Sequence, residues 1–364
     1  MTEEYQMIHY IRESPAVLER TLEGNEPQLQ SISQEVRNRR IDQVVICGLG
    51  SSYTAAMMAG PIFSTHCPYK TMIVPASELQ YYAPKILNER TLLVAVSRSG
   101  ARGAVVDALI QIVQAGGMGV AVTGVENNLL AKNAEFALLT HEGEEKAFPK
   151  TKSVLASAGI LMALGCALAG EEDHKAKDRM EALCRLPASV EQTIIGIEPE
   201  VQSLLPFVRE HTFVGVAGTA SNHGVALEAA IKIQEAAYIL TRGDSIAGWI
   251  HGPVGALHDR CLLIPLVMES DEALNKQLLT LAGRFGAHSL CLQAPGIDVE
   301  AYCDHALTIS GDVDPFLAAL LYLPPIQLIA YYWAVDQSLD PDVPELTQPI
   351  LDVILPPGRE EPDL

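Results

Sequence analysis

Three ionisable residues share one face of an otherwise apolar helix. In ALEAAIKIQEAAY, Glu228, Lys232 and Glu235 fall at i, i+4 and i+7, so they project from one side. Such a pattern ordinarily marks a solvated, salt-bridged face. Here Ala226, Ala230, Ile233 and Ala237 make up the rest of the surface, so the helix is expected to be buried. Charges on a buried helix need partners or a cavity. Glu235 lies sixteen residues before His251 of GWIHGPVGALHDR, across a glycine-containing loop. A carboxylate and an imidazole meeting at one pocket can move protons on carbon and oxygen. Alone, His251 reads as a core histidine, and the carboxylate helix makes it a candidate. His258 gains no such support and reads as structural.

A second group of residues suits an anion. Gly50-Ser51-Ser52-Tyr53, Ser97-Arg98-Ser99-Gly100 and Thr151-Lys152-Ser153 each stand where a strand or loop passes into a helix. Serines at such turns cap the helix and also aim hydroxyls and N–H groups at a bound anion. One such turn ordinarily means capping alone. Three in one half of the chain, with Arg98 and Lys152 among them, make a phosphate site a real alternative. GLGSSY carries only two glycines of a dinucleotide fingerprint, and no acidic residue follows before Glu78. No cofactor is therefore expected.

The elements that must position these groups alternate. Helices are expected over 4–22, broken at 13–15 by ESP, and over 25–38. Strands are expected at 42–48, 70–78, 90–96, 118–124 and 134–143, with helices after GSSY and after SRSG, and a long helix at about 152–170. Residues 172–210 read as a charged helical connector. The pattern then restarts with strands at 211–218, 261–269, 288–295 and 305–310, helices at 224–240 and 316–338, and a loop at 241–250. Short β-rich runs alternating with helices predict an α/β fold with parallel sheets, whose ligands collect at the carboxyl ends of the strands. Two successive units of similar order suggest duplication. The expected division is 1–30 as an N-terminal helical segment, 31–185 and 186–338 as two domains, and 339–364 as a proline-rich tail.

The formal charge of −20 argues against nucleic acid and anionic membranes as partners, and a phosphorylated substrate must be held by local devices. No apolar run approaches the ~20 residues of a membrane span, and MTEEYQMIHY is too polar for a signal peptide. The seven cysteines are odd in number, scattered and free of any CxxC, which suits reduced core thiols, no metal site and a cytoplasmic location.

GSSYTAA, VSRSG, KTKS, ALEAAIKIQE and IHGP together resemble the SIS-domain (sugar isomerase) family. The similarity is to the isomerase half of glutamine–fructose-6-phosphate aminotransferase and to fructosamine-phosphate deglycases, and it covers nearly the whole chain. The resemblance implies two SIS domains, each a parallel sheet flanked by helices in a flavodoxin-like three-layer α/β/α arrangement. It implies a sugar-phosphate substrate held by Ser52, Ser97, Arg98 and Ser99, with Ser51, Thr151 and Lys152 in the same turns. It assigns catalysis to Glu235 and His251 and active-site places to Lys232 and Glu228. It also implies a homodimer or higher oligomer, with the histidine reaching a site at the subunit interface.

The chain departs from the family pattern in three places. The usual SxSGET reads Ser97-Arg98-Ser99-Gly100-Ala101-Arg102, so Arg102 stands in place of a threonine hydroxyl and either grips the phosphate by charge or marks a rebuilt edge. The loop EEKAFPKTK is bulkier and more charged than is common. The tail position of a Schiff-base lysine is occupied by Gln348. No cysteine precedes Cys47, so no glutamine-derived ammonia is expected within this chain. The expected enzyme is a deglycase or isomerase of a ketosamine 6-phosphate or aminosugar phosphate. An aldose–ketose isomerase, an aminosugar-phosphate deaminase and a non-catalytic sugar-phosphate regulator remain as alternatives.

Overall fold

The computed structural model describes residues 4–343 apart from 171, 312 and 313, together with 345 and 349. Gln348 lies outside the described residues. Two compact units are present, described below in turn.

The first unit takes residues 14–145 and 152–187. It holds most of α1 (Gln6–Gly24), then α2 (Glu26–Asn38), β1 (Gln43–Gly48), α3 (Ser51–His66), β2 (Lys70–Pro75) and α4 (Ala76–Ile86). There follow β3 (Thr91–Val96), α5 (Ala104–Gln114), β4 (Met118–Thr123), α6 (Leu129–Asn133), β5 (Phe136–Leu139) and α7 (Lys152–Leu168). The five strands form a parallel sheet in the order β2-β1-β3-β4-β5. Every residue of β3 and β4 is buried, as expected of interior strands covered on both faces. Val45, Leu93, Ala95, Leu109 and Ala121 pack into one core. α8 (His174–Val208) carries the chain onward.

The second unit takes 188–343 of the described residues, with 4–13 and 146–151. It contains β6 (Phe213–Gly218), α9 (Ser221–Ala237), β7 (Leu240–Ser245), α10 (Ile246–Ile250), β8 (Cys261–Val267), α11 (Glu272–Arg284), β9 (His288–Gln293), β10 (His305–Thr308) and α12 (Ala319–Asp336). Its parallel sheet runs β7-β6-β8-β9-β10, which is the order of the first sheet repeated. The start of α1 is held here: Asp342 accepts the N–H groups of Gln6 and Met7 at 2.7 Å each, an acidic cap supplied from the far end of the chain.

The repeat extends to one turn. After β1 the chain reads Gly48-Leu49-Gly50-Ser51-Ser52, and after β6 it reads Gly218-Thr219-Ala220-Ser221-Asn222. Gly50 has φ 51 and ψ −128, and Ala220 has φ 52 and ψ −123. In both turns the first glycine lies against the new helix: a Cβ would come 2.8 Å from the Ser52 carbonyl carbon at Gly48 and 2.2 Å from the Asn222 oxygen at Gly218. Glycine meets the unusual backbone of the first turn without cost, whereas Ala220 carries a Cβ through it. Ala220→Gly is expected to stabilise the protein by about 0.5–1 kcal/mol, read as a higher melting temperature.

Three expectations are corrected. α1 is continuous through Pro15, because one missing N–H is outweighed by the burial of Met7, Ile8, Ile11, Val17 and Leu18 on either side. Residues 70–78 divide into β2 and the start of α4. Residues 240–250 are not helix end and loop but β7 followed by α10. LTRGDS has too few apolar residues to read as a strand. Among the described residues it is an edge strand paired only with β6, and Gly243 lets it lie against the Ala226 carbonyl, where a Cβ would stand 1.8 Å away.

Asp271, just beyond β8, is 6% exposed. Burial pushes its carboxyl up to about 6, against the pull of the Met268 N–H, the Asn275 amide and Thr219. The folded value lies above the ordinary 3.8, so the stabilisation it brings is present below that pH and is lost as pH rises through about 6. Asp271→Asn is expected to raise stability by about 1–2 kcal/mol at about pH 8 and to change it little at about pH 4, measured by denaturant unfolding.

Candidate functional site

The turn after β3 is held through three of its carbonyls and two of its hydroxyls. The Arg98 carbonyl accepts Gly124 N–H at 3.0 Å and the Thr123 hydroxyl at 2.9 Å. The Ser99 carbonyl accepts the Asn128 amide at 3.1 Å, and the Gly100 carbonyl accepts Leu130 N–H at 3.1 Å. Ser97 Oγ accepts Gly100 N–H at 3.2 Å and Ser99 Oγ accepts Ala101 N–H at 3.4 Å. Each hydroxyl is thus oriented as an acceptor toward the backbone and has a proton to donate. Gly100 is required twice: its φ is +57, and a Cβ would fall 2.0 Å from the Asn128 amide nitrogen.

β1 and β3 are neighbours, so Ser51 and Ser52, opening α3, stand beside Ser97 and Ser99 at one carboxyl edge. All four serines are partly exposed. This is a cluster of serine hydroxyls beside a helix N-terminus, a chemistry suited to an oxyanion. Thr151, Lys152 and Ser153 are buried at the start of α7. The two arginines separate. Arg98 turns toward Glu142 and Glu145, with its Nε 3.2 Å from Glu142 Oε1 and 3.8 Å from Glu145 Oε2. Arg102, next to the N-cap of α5, is exposed.

In the second unit, α9 presents the charged face. Lys232 is 1% exposed; it donates to Glu235 Oε2 and lies 3.6 Å from Glu228 Oε1. Glu228 is fully buried, whereas Glu235 keeps 27% of its side chain exposed. One ammonium pairs with both carboxylates, and the outer carboxylate stays within reach of solvent.

His251 is exposed, not a core histidine. Its place is fixed by Trp249 and Ile246, both buried, the indole N–H donating to the Val216 carbonyl at 3.0 Å. The Ser245 hydroxyl caps α10 by accepting Gly248 N–H at 3.0 Å, and Gly252, with φ +144, turns the chain directly after the imidazole.

Glu142, Glu145 and Asn128 were not singled out in sequence, although HEGEE is conspicuously acidic and Asn128 opens a helix. Among the described residues, no group of three or more His, Cys, Asp or Glu side chains is placed to hold a metal, and no helix is long and apolar enough to cross a membrane.

The two sheets and the serine cluster define an open α/β protein of the kind that binds ligands at the carboxyl edge of a parallel sheet. Residues 37–167, which fall in the first unit, match the SIS domain family model. Along 344 residues the chain is 25% identical to glutamine–fructose-6-phosphate aminotransferase (isomerizing) of Thermococcus kodakarensis, covering 93% of this chain and 56% of that protein. It therefore spans little more than half the length of the curated relatives it matches. The C-terminal domain of glucosamine-fructose-6-phosphate aminotransferase from Francisella tularensis superposes with a TM-score of 0.83 at 19% identity, covering 94% of this chain and 99% of that one. Glucosamine-6-phosphate deaminase from Thermotoga maritima gives a TM-score of 0.75 at 23% identity, covering 93% and 97%. These two likenesses are of fold.

Proposed function

We propose that the protein is a phosphosugar enzyme, most specifically a deglycase or isomerase acting on a ketosamine 6-phosphate or aminosugar phosphate. The observation that carries this reading is the Glu228–Lys232–Glu235 array, a buried lysine joined to a carboxylate that solvent can reach. Ser51, Ser52, Ser97 and Ser99 would hold the phosphate by N–H and O–H groups, and Arg102 would add the charge that a chain of −20 otherwise lacks. His251 would open the sugar ring. Glu235 would move a proton from C1 to C2, turning the ketosamine into an imine through an enaminol, after which water releases the amine and a hexose phosphate. Lys232 would stabilise negative charge on the enaminol oxygen. Gln348 in place of a tail lysine favours release by water over an imine carried on the protein.

The same reading takes the second sheet as a second SIS domain, on its repeated strand order. It takes the working form as a cytoplasmic homodimer or larger oligomer, with His251 serving a neighbouring copy. The test is a panel of fructosamine 6-phosphate, glucosamine 6-phosphate and fructose 6-phosphate, with products identified. Hexose phosphate and free amine from the first compound support the deglycase. Ammonia from the second supports a deaminase, and aldose from the third an isomerase. Thermal stabilisation by all three with turnover of none would instead support a sugar-phosphate-binding regulator.

A further inference from the structure

The guanidinium of Arg98 does not lie over its own turn. It crosses the carboxyl end of β4 to the loop after β5, where it faces two carboxylates with no solvent exposure, while its own side chain is 17% exposed. The loop is fixed independently. The Arg20 guanidinium donates to the His141 carbonyl at 2.6 Å and the Glu142 carbonyl at 3.4 Å, the Thr140 hydroxyl donates to Glu142 Oε2, and Glu145 Oε1 accepts Lys152 N–H at 3.1 Å. Gly124 completes the fit: a Cβ there would lie 1.7 Å from Glu142 Oε1, so the carboxylate rests on bare backbone. Gly124 N–H is also a donor to the Arg98 carbonyl. Arg98 is therefore hydrogen-bonded through its carbonyl and ion-paired through its Nε to Glu142 and Glu145.

One guanidinium between two buried carboxylates offers no net positive charge to a phosphate. Drawing it toward a ligand would take an ion-pair partner from both carboxylates, an unfavourable exchange in a buried site. We propose that Glu142 and Glu145 are positioning residues that hold Arg98 as a clamp on the 97–101 turn, and that Arg102 alone supplies the arginine charge to the bound phosphate. This rests on the phosphosugar reading for its ligand but not for its geometry.

Binding of inorganic phosphate and of fructose 6-phosphate is measured by calorimetry at low and high salt, with amide hydrogen exchange at Gly100 and Ala101. Arg102→Gln is expected to weaken binding about tenfold and to flatten its salt dependence, as loss of a direct phosphate contact does. Glu142→Gln is expected to weaken binding about threefold to tenfold with the salt dependence of the parent, and to speed exchange at both amides. In an Arg98→Gln background, Glu142→Gln should add less than about twofold, because it acts through Arg98. A full effect of Glu142→Gln in that background overturns the clamp, as does flattening of the salt dependence by Arg98→Gln but not by Arg102→Gln. If the parent binds neither probe, the phosphosugar reading fails. The exchange measurement still decides the clamp, since unchanged protection in Glu142→Gln and Arg98→Gln would exclude it. If Glu142→Gln does not fold, Glu145→Gln and Arg98→Gln carry the same comparison.

Discussion

Glu235→Gln is expected to lower turnover of the productive phosphosugar by about three orders of magnitude, with its dissociation constant changed by less than about threefold. The substitution is nearly isosteric. The amide oxygen of glutamine can still accept from Lys232, which donates to Glu235 Oε2, so the exposed side of α9 keeps its shape. Lys232 also keeps Glu228, 3.6 Å away. What disappears is the capacity to take a proton from carbon and return it to the neighbouring carbon, which a neutral amide cannot do. A positioned general base contributes about a hundredfold to ten-thousandfold, and a step that uses the same carboxylate twice sits toward the upper end. The proposed phosphate site belongs to the turns after β1 and β3 in the other unit, and the substitution alters none of its atoms. Steady-state kinetics and calorimetry on one preparation separate the two effects. Turnover within about tenfold of the parent would remove Glu235 from the mechanism; a large loss of affinity would make it a binding group instead.

How far the site was legible depends on whether its residues act locally. Glu228, Lys232 and Glu235 were readable because helical periodicity alone puts them on one face, and the surrounding alanines announce burial. Their pairing in the structure follows from that spacing. The serine turns were readable because a strand must end and a helix begin there, and β3 is buried at every residue, leaving its carboxyl end as the place where polar groups first appear. Glu142 and Glu145 were not readable. In sequence they belong to an acidic loop of the sort that is usually solvated, and their partners come from distant positions: Arg98 from a different strand's turn, with Thr140 and the Lys152 N–H. The same limit hid β7, whose polar residues are tolerated because one of its edges is unpaired. The repeat was dimmed where it is structurally sharpest: Gly50 and Ala220 share a backbone conformation but not a residue type.

Mixing two inactive variants is expected to recover activity. His251→Ala should lose turnover by about two to three orders of magnitude, and Glu235→Gln at least as much. If His251 of one copy completes the site of another, random reassociation of equal amounts of the two variants places half the chains in mixed dimers. Each mixed dimer then has one site with both defects and one with neither, so about a quarter of the parent's activity returns. If both residues serve the site of their own chain, every site in every dimer carries a defect and the mixture stays inactive. The geometry gives the experiment its force. His251 is exposed, yet it follows a helix of only five residues whose Trp249 is 1% exposed and hydrogen-bonded to the sheet through its indole nitrogen. An imidazole presented on so firmly anchored a loop cannot swing far, so its reach is set by what stands next to the loop. Co-expression with separable tags, purification of the mixed species and kinetics against each homogeneous variant give the answer. Sedimentation of the same samples reports whether a dimer forms at all. Recovery near half in the purified mixed dimer, or near a quarter in the unfractionated mixture, assigns His251 to the neighbouring copy, and no recovery from a verified mixed dimer assigns it to its own.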